Sequence, residues 1–212
     1  MKKHIVCFGD SNTHGLCADP ADCADGGDRF NEDERWTCLL QKLLGDEYLV
    51  IENGVSGRTT AFSDRFRDFI CGLDDIGSAL MAHRPVDLLI IMLGTNDTKE
   101  RYGMNARCIG FGMEKLAFTS TTLDAWKDRP NILIIAPPHI PEEMRDDTMG
   151  SGCQEKSRML AAVYSEICEK HGWAFLDANE LVGFNKLDHM HFTREGHAAF
   201  AKALAGLVPE LI

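Results

Sequence analysis

The chain lacks any apolar run approaching the roughly 20 residues that a membrane-crossing helix needs. Lys2 and Lys3 open it, but the apolar stretch behind them is too short for a secretory leader. An excess of cations is missing too. Lys and Arg number 22 against 33 Asp and Glu, a net charge of −11. Nucleic acid and anionic membrane surfaces are therefore not expected partners, because both recruit basic patches. No CxxC pair occurs among the eight cysteines at 7, 17, 23, 38, 71, 108, 153 and 168. Several lie in apolar segments, where a reduced thiol behaves as a small hydrophobe, and a reducing, cytoplasmic setting is expected. Neither GxGxxG nor GxxxxGK[ST] follows a strand-like run, which argues against a nucleotide-binding module. HExxH is absent, and so is the elbow G-x-S-x-G, since the residue two after Ser11 is Thr13. No cofactor and no metal is expected. There is no internal repeat, linker or low-complexity tract.

What remains is an ordinary globular composition, 44% apolar and 26% charged over 212 residues. That length suits one domain, residues 1–212, burying about 70% of its unfolded surface. Strand-like and helix-like segments alternate. Strands are expected at His4 to Phe8, Tyr48 to Glu52, Asp87 to Leu93, Asn131 to Ala136 and Trp173 to Asp177. Helices are expected at Trp36 to Leu44 (ended by Gly45), Asp74 to His83, Ala106 to Lys127, Gln154 to His171 and Thr193 to Leu207 (capped by Thr193). Asp87 to Leu93 is apolar on both faces, as in a covered parallel sheet. The pattern predicts an α/β fold with a parallel sheet of about five strands and helices on both faces, a three-layer α/β/α sandwich. The polar stretch from Ala18 to Glu34 stands out as an excursion from the core.

In an open parallel sheet, ligands bind at the carboxyl ends of the strands. Gly9-Asp10-Ser11-Asn12-Thr13 follows the first strand, and Asn53-Gly54-Val55-Ser56-Gly57-Arg58 the second. Gly94-Thr95-Asn96-Asp97 follows the third, and Asp188-His189-Met190-His191-Phe192 precedes the last helix. One sheet edge thus collects a hydroxyl, backbone amides, a side-chain amide, and an imidazole with a carboxylate three residues before it. These are the parts needed for acyl transfer. Each has a plainer reading when taken alone: Ser11 as a turn residue, Gly57 as a turn glycine, Asn96 as an Asx-turn. Asp10 and Asp97 are expected to hold local backbone. His189, His191 and His197 with Asp188 also have the composition of a metal site, but no second ligand group stands at a strand end.

Gly9-Asp10-Ser11, Gly57, Gly94-Thr95-Asn96-Asp97 and Asp188-x-x-His191 resemble, in order and spacing, the four blocks of the GDSL, or SGNH, hydrolases. Arg35-Trp36-Thr37, Arg58-Thr59-Thr60, Ile90 to Lys99 and His191-Phe192-Thr193 are closer to one branch, the small bacterial arylesterases that also act as acyltransferases. The resemblance runs from about residue 4 to about residue 200. It implies a flavodoxin-like sheet and hydrolysis of short-chain aryl or alkyl esters through an acyl-enzyme, with an alcohol able to replace water as acceptor. By the same resemblance Ser11, Asp188 and His191 are the catalytic residues, with His191 preferred over His189 as the base. The N–H groups of Ser11 and Gly57 and the side chain of Asn96 form the oxyanion hole. Two departures, at Asn12-Thr13-His14 and at His189-Met190 (usually Gly then an aliphatic residue), are expected to line the pocket. Asn12 and Met190 are thus candidate substrate contacts. Carbohydrate acetylesterase, thioesterase and lysophospholipase activities run on the same machinery and stay open. Relatives in this branch often assemble into homo-oligomers, and the Ala18 to Glu34 excursion could serve such contacts. The partner expected is a small-molecule ester.

Overall fold

Runs of Val, Ile and Leu build the sheet, because β-branched and leucine side chains pack well on a pleated surface covered on both sides. A computed structural model describes residues 1–212. Five strands form, β1 (Lys3–Gly9), β2 (Tyr48–Gly54), β3 (Leu88–Met92), β4 (Ile132–Ala136) and β5 (Ala174–Asp177). They pair in the order β2-β1-β3-β4-β5, parallel throughout. Every residue of β3 and β4 is buried, as expected of strands covered on both faces.

Six α-helices connect and cover the sheet: α1 (Ser11–His14), α2 (Trp36–Leu44), α3 (Gly72–Ala82), α4 (Ala106–Thr121), α5 (Cys153–His171) and α6 (Arg194–Leu211). The apolar residues of α3, α4 and α5 join one face of the sheet in a cluster that includes Val6, Leu89 and Ile134. Those of α2 and α6 join the other face with Ile5, Leu88 and Leu133. This is the three-layer arrangement the alternation predicts. In α2 and α6, Trp36 meets Phe200 edge-on with ring centroids 5.1 Å apart.

Apart from the short α1, which the sequence leaves as a loop, and end shifts of one or two residues, the following differences from the sequence expectation stand out. β1 and β2 run on to Gly9 and Gly54, which pair with each other in register. α4 stops at Thr121, six residues short of Lys127. The hydroxyls of Ser120, Thr121 and Thr122 turn back onto the carbonyls of Ala117, Phe118 and Thr119, offering the backbone a way out of the helix. Beyond it the Val86 N–H donates to the Ala125 carbonyl and the Lys127 N–H to the Val86 carbonyl, a short parallel bridge between Val86 and Trp126. α6 continues past Leu207 to Leu211, and the Asn131 amide donates to the Leu211 carbonyl at 2.9 Å. The excursion from Ala18 to Glu34 folds back on the body around a small core of Cys17, Cys23 and Phe30. Its Asp22 carboxylate accepts the Arg194 N–H at the start of α6 (2.9 Å).

Candidate active site

The sheet edge is shaped by two glycines. A Cβ on Gly9 would fall 2.1 Å from Thr13 Oγ1, and one on Gly54 would fall 2.2 Å from the His14 amide nitrogen. Their bare backbones let α1 turn back directly over the ends of β1 and β2. Asp10 begins that turn, its Oδ1 accepting the Asn12 N–H at 3.0 Å, and Gly15 ends it in the left-handed region. Ser11 is thereby held as the first residue of α1. Its own N–H is one of the amides that a helix start leaves without an intrahelical acceptor.

Across 180 residues of sequence, Ser11 Oγ lies 2.8 Å from His191 Nε2. The other ring nitrogen, Nδ1, is 2.6 Å from Asp188 Oδ2. Asp188 Oδ1 accepts the N–H groups of Met190 (2.9 Å) and His191 (3.2 Å) and the side-chain amide of Asn185 (2.9 Å). Burial alone would raise the Asp188 carboxyl. The His191 ring and the donors from Met190 and Asn185 more than offset it and hold the group down at about 2. His189 takes a φ of 58°, the left-handed conformation that glycine adopts most readily and histidine tolerates. That turn aims the next two amides at Asp188.

Asn96 opens a 3₁₀ turn after β3. It is reached through Gly94, whose φ of 126° and contact with Tyr164 exclude a side chain. The Asn96 amide nitrogen lies 3.3 Å from Asp10 Oδ2 and 3.2 Å from the Arg58 carbonyl, both long contacts. Its Oδ1 accepts from the Lys99 ammonium at 2.8 Å, which assigns the amide's orientation. Gly57 has a φ of 90°, and its N–H has no acceptor in the protein. Ser11, Gly57, Asn96, Met190 and His191 all face one cleft of about 150 Å³. A hydroxyl hydrogen-bonded to an imidazole, with amide donors around the same cleft, can attack a carbonyl carbon and hold the oxyanion that results.

Asn12 is a correction. It does not line the cleft, and its side chain is 2% exposed. Its amide donates to the Met190 carbonyl and its Oδ1 accepts the Phe192 N–H, each at 3.0 Å. Both ends of its amide are turned to the loop that carries His191, so it positions that loop and, being buried, does not reach the cleft. The three histidines near the fourth block do not converge either. His191 is engaged with Ser11 and Asp188. His197 is buried in α6, its Nδ1 accepting the Trp36 N–H at 3.2 Å, and burial pushes its pKa down to about 3.

Arg58, Lys99 and Asn185 have supporting roles that the sequence does not show, and Asp97, expected to hold local backbone, holds a distant segment instead. Arg58 donates to the Gly9 and Asn53 carbonyls and lies 4.0 Å over the Phe8 ring, joining the ends of β1 and β2. Asp97 accepts the Thr60 N–H and hydroxyl at 2.8 and 2.6 Å. Lys99 and Asn185 hold Asn96 and Asp188 as described. Arg58, Asp97 and Lys99 stand within the family blocks, so their positions were visible; their partners were not.

A protein-family model described as GDSL-like lipase/acylhydrolase matches residues 7–199. Among solved structures the chain is similar to the native aryl esterase of M. smegmatis, at 34% identity, covering 99% of this chain and 100% of that one with a TM-score of 0.89. It is also similar to Est24, a carbohydrate acetylesterase from Sinorhizobium meliloti, at 32% identity, with full coverage of both chains and a TM-score of 0.89. A lipase/acylhydrolase from Enterococcus faecalis shares the fold at 18% identity and a TM-score of 0.69. No curated protein matches the chain in sequence.

Proposed function

The chain belongs to the GDSL-like lipase/acylhydrolase family and is a serine esterase; from that premise we propose that it hydrolyses short-chain acyl esters, with Ser11, His191 and Asp188 as its catalytic residues. The observation that carries this reading is the continuous path Asp188 Oδ2–His191 Nδ1 and His191 Nε2–Ser11 Oγ, at 2.6 and 2.8 Å. In the proposed cycle His191 takes the Ser11 proton as Oγ attacks the carbonyl carbon. The resulting oxyanion is met by the Ser11 and Gly57 N–H groups and the Asn96 amide. Collapse expels the alcohol, which receives the proton from His191, and leaves an acyl-enzyme. Water, deprotonated by the same ring, then releases the acid. Asp188 keeps the ring in the productive tautomer and stabilises the imidazolium. An alcohol attacking in place of water would give acyl transfer, read as ester product when a primary alcohol is added.

The cleft supports a short acyl group, since about 150 Å³ is well below the 300 Å³ at which drug-sized pockets begin. Of the 13 residues that line it, only Leu16, Met149 and Met190 have apolar side chains, which favours a hydroxylated alcohol portion such as an acetylated carbohydrate as a second reading. Eight free thiols, most of them buried, suit a reducing compartment, and the cytoplasm is the location proposed. A panel of p-nitrophenyl esters of increasing chain length tests the main reading, with Ser11→Ala as control. Turnover is expected to peak between acetyl and butyryl, and to fall by at least about 10⁴-fold in Ser11→Ala with the thermal midpoint retained. A maximum at long chains, or full activity in the variant, refutes it.

A further inference from the structure

The molecule carries a net charge of −11, yet the cleft beside Ser11, which Asp146 also lines, presents two cations that no carboxylate holds in an ion pair. Lys99 is only 8% exposed, and its ammonium makes one side-chain hydrogen bond, to the neutral Asn96 Oδ1. One donor is thus spent and two remain. Arg67 stands on the loop before α3, with Nη1 2.7 Å from where a Cβ on Gly57 would be. Its guanidinium has no hydrogen-bond or ion-pair partner in the protein, unlike that of Arg101, which is held by Asp64. Of the acidic groups nearby, Asp68 and Asp74 share a second hollow with Arg67 without pairing with it, and others are bonded elsewhere. Asp64 is bound by Arg101 and Tyr102, Asp188 by His191, and Asp10 by Asn12. Asp146, on the cleft wall, accepts the Thr148 N–H at 2.7 Å. A buried ammonium without an ion-pair partner is costly to keep, and burial together with Arg101 and Arg67 pushes the Lys99 pKa down against the opposing pull of Asp10 and Asp64. A ligand that brought its own negative charge would give the buried Lys99 an ion-pair partner and meet the exposed Arg67 beside it.

We propose that this cleft selects acyl esters carrying a carboxylate, which Arg67 and Lys99 hold beside the Gly57 amide. The inference rests on the serine-esterase reading and narrows its substrate. Arg67 supplies a planar fork matched to a carboxylate, and Lys99 a point charge fixed by Asn96. The same two charges flank the site proposed for the oxyanion, so an anionic substrate would be bound without any rearrangement of that site.

The test compares 4-acetoxybenzoate with 4-acetoxybenzamide, esters of the same size that differ in charge. The carboxamide is the more electron-withdrawing group, so intrinsic reactivity favours the neutral ester and a preference for the anion has to come from the protein. At low salt the wild-type kcat/KM is expected to favour the benzoate by about tenfold or more. That ratio should fall about tenfold in Arg67→Gln, be largely retained in Arg67→Lys, and shrink at about 1 M salt, where charges are screened beyond about 3 Å. A wild-type ratio at or below one, or a ratio indifferent to Arg67→Gln, overturns the proposal while leaving the esterase reading intact. Failure to turn over either ester instead removes the esterase reading and this one with it.

Discussion

Asn12 shows how far a side chain's role can lie from its sequence neighbours. Beside Ser11 it reads as a pocket residue. In the structure both polar ends of its amide grip a loop 178 and 180 residues away. Asn12→Ala should therefore leave the acyl-chain profile unchanged while lowering kcat/KM about 10- to 100-fold, because the His191 loop loses two buried anchors. Steady-state kinetics across the ester panel distinguish the cases: a shifted chain-length optimum would return Asn12 to the pocket wall. His189 makes the complementary point. As a departure from the usual glycine it suggests pocket chemistry, but its φ of 58° shows a backbone requirement at that position. The residue types of the site were legible because hydroxyl, imidazole, carboxylate and amide each admit few roles in acyl transfer. Which of them face the cleft was not, because that depends on partners distant in the chain.

Among the elements, α1 is the one the hydrophobic pattern could not reveal. Four residues are too few for a helical period, so Ser11–His14 reads as a loop. What makes it a helix is the Asp10 cap, the left-handed Gly15, and space cleared by Gly9 and Gly54. Gly54→Ala would drive a methyl into the His14 and Thr13 backbone, which cannot rotate away as a side-chain tip can. A stability loss of about 1–3 kcal/mol is expected, with a fall in kcat as α1 and Ser11 are displaced. Urea unfolding of the variant measures the first and ester turnover the second; a variant matching wild type in both would mean the close approach is not what seats α1. α4 ends earlier than its apolar spacing predicts for a related reason. Apolar spacing continues toward Lys127, but the hydroxyls from Ser120 to Thr122 compete for the helix carbonyls, and Val86 offers the following segment a strand-like partner.

For the whole molecule, the site depends on loops from different strand ends being tied together, and Asp97 makes one tie by holding Thr60 across 37 residues. Burial raises its carboxyl to about 6, with the Thr60 donors opposing. An unfolded Asp titrates near 3.9, so the folded state holds this proton more tightly. The linked stability is present in full below about pH 4 and is lost as pH rises through about 6. Asp10, also raised to about 6 by burial, adds to the same slope, whereas Asp188, held at about 2, acts in the opposite sense and only below about pH 4. Asp97→Asn removes one of the two contributions. Its urea midpoint is expected to change less between pH 5 and pH 7 than that of wild type, and an equal change would locate the slope elsewhere. Over the whole chain, alternating apolar runs were enough to specify five parallel strands with helices on both faces, since periodicity and the handedness of strand crossovers are local properties. The four blocks likewise pointed to the candidate reacting groups, because acyl transfer demands those side-chain types. Folding alone brought Ser11 to His191, turned Asn12 inward onto Met190 and Phe192, and left Arg67 and Lys99 outside any ion pair. Contacts between distant segments depend on strand order and loop path, neither of which a hydrophobic pattern encodes.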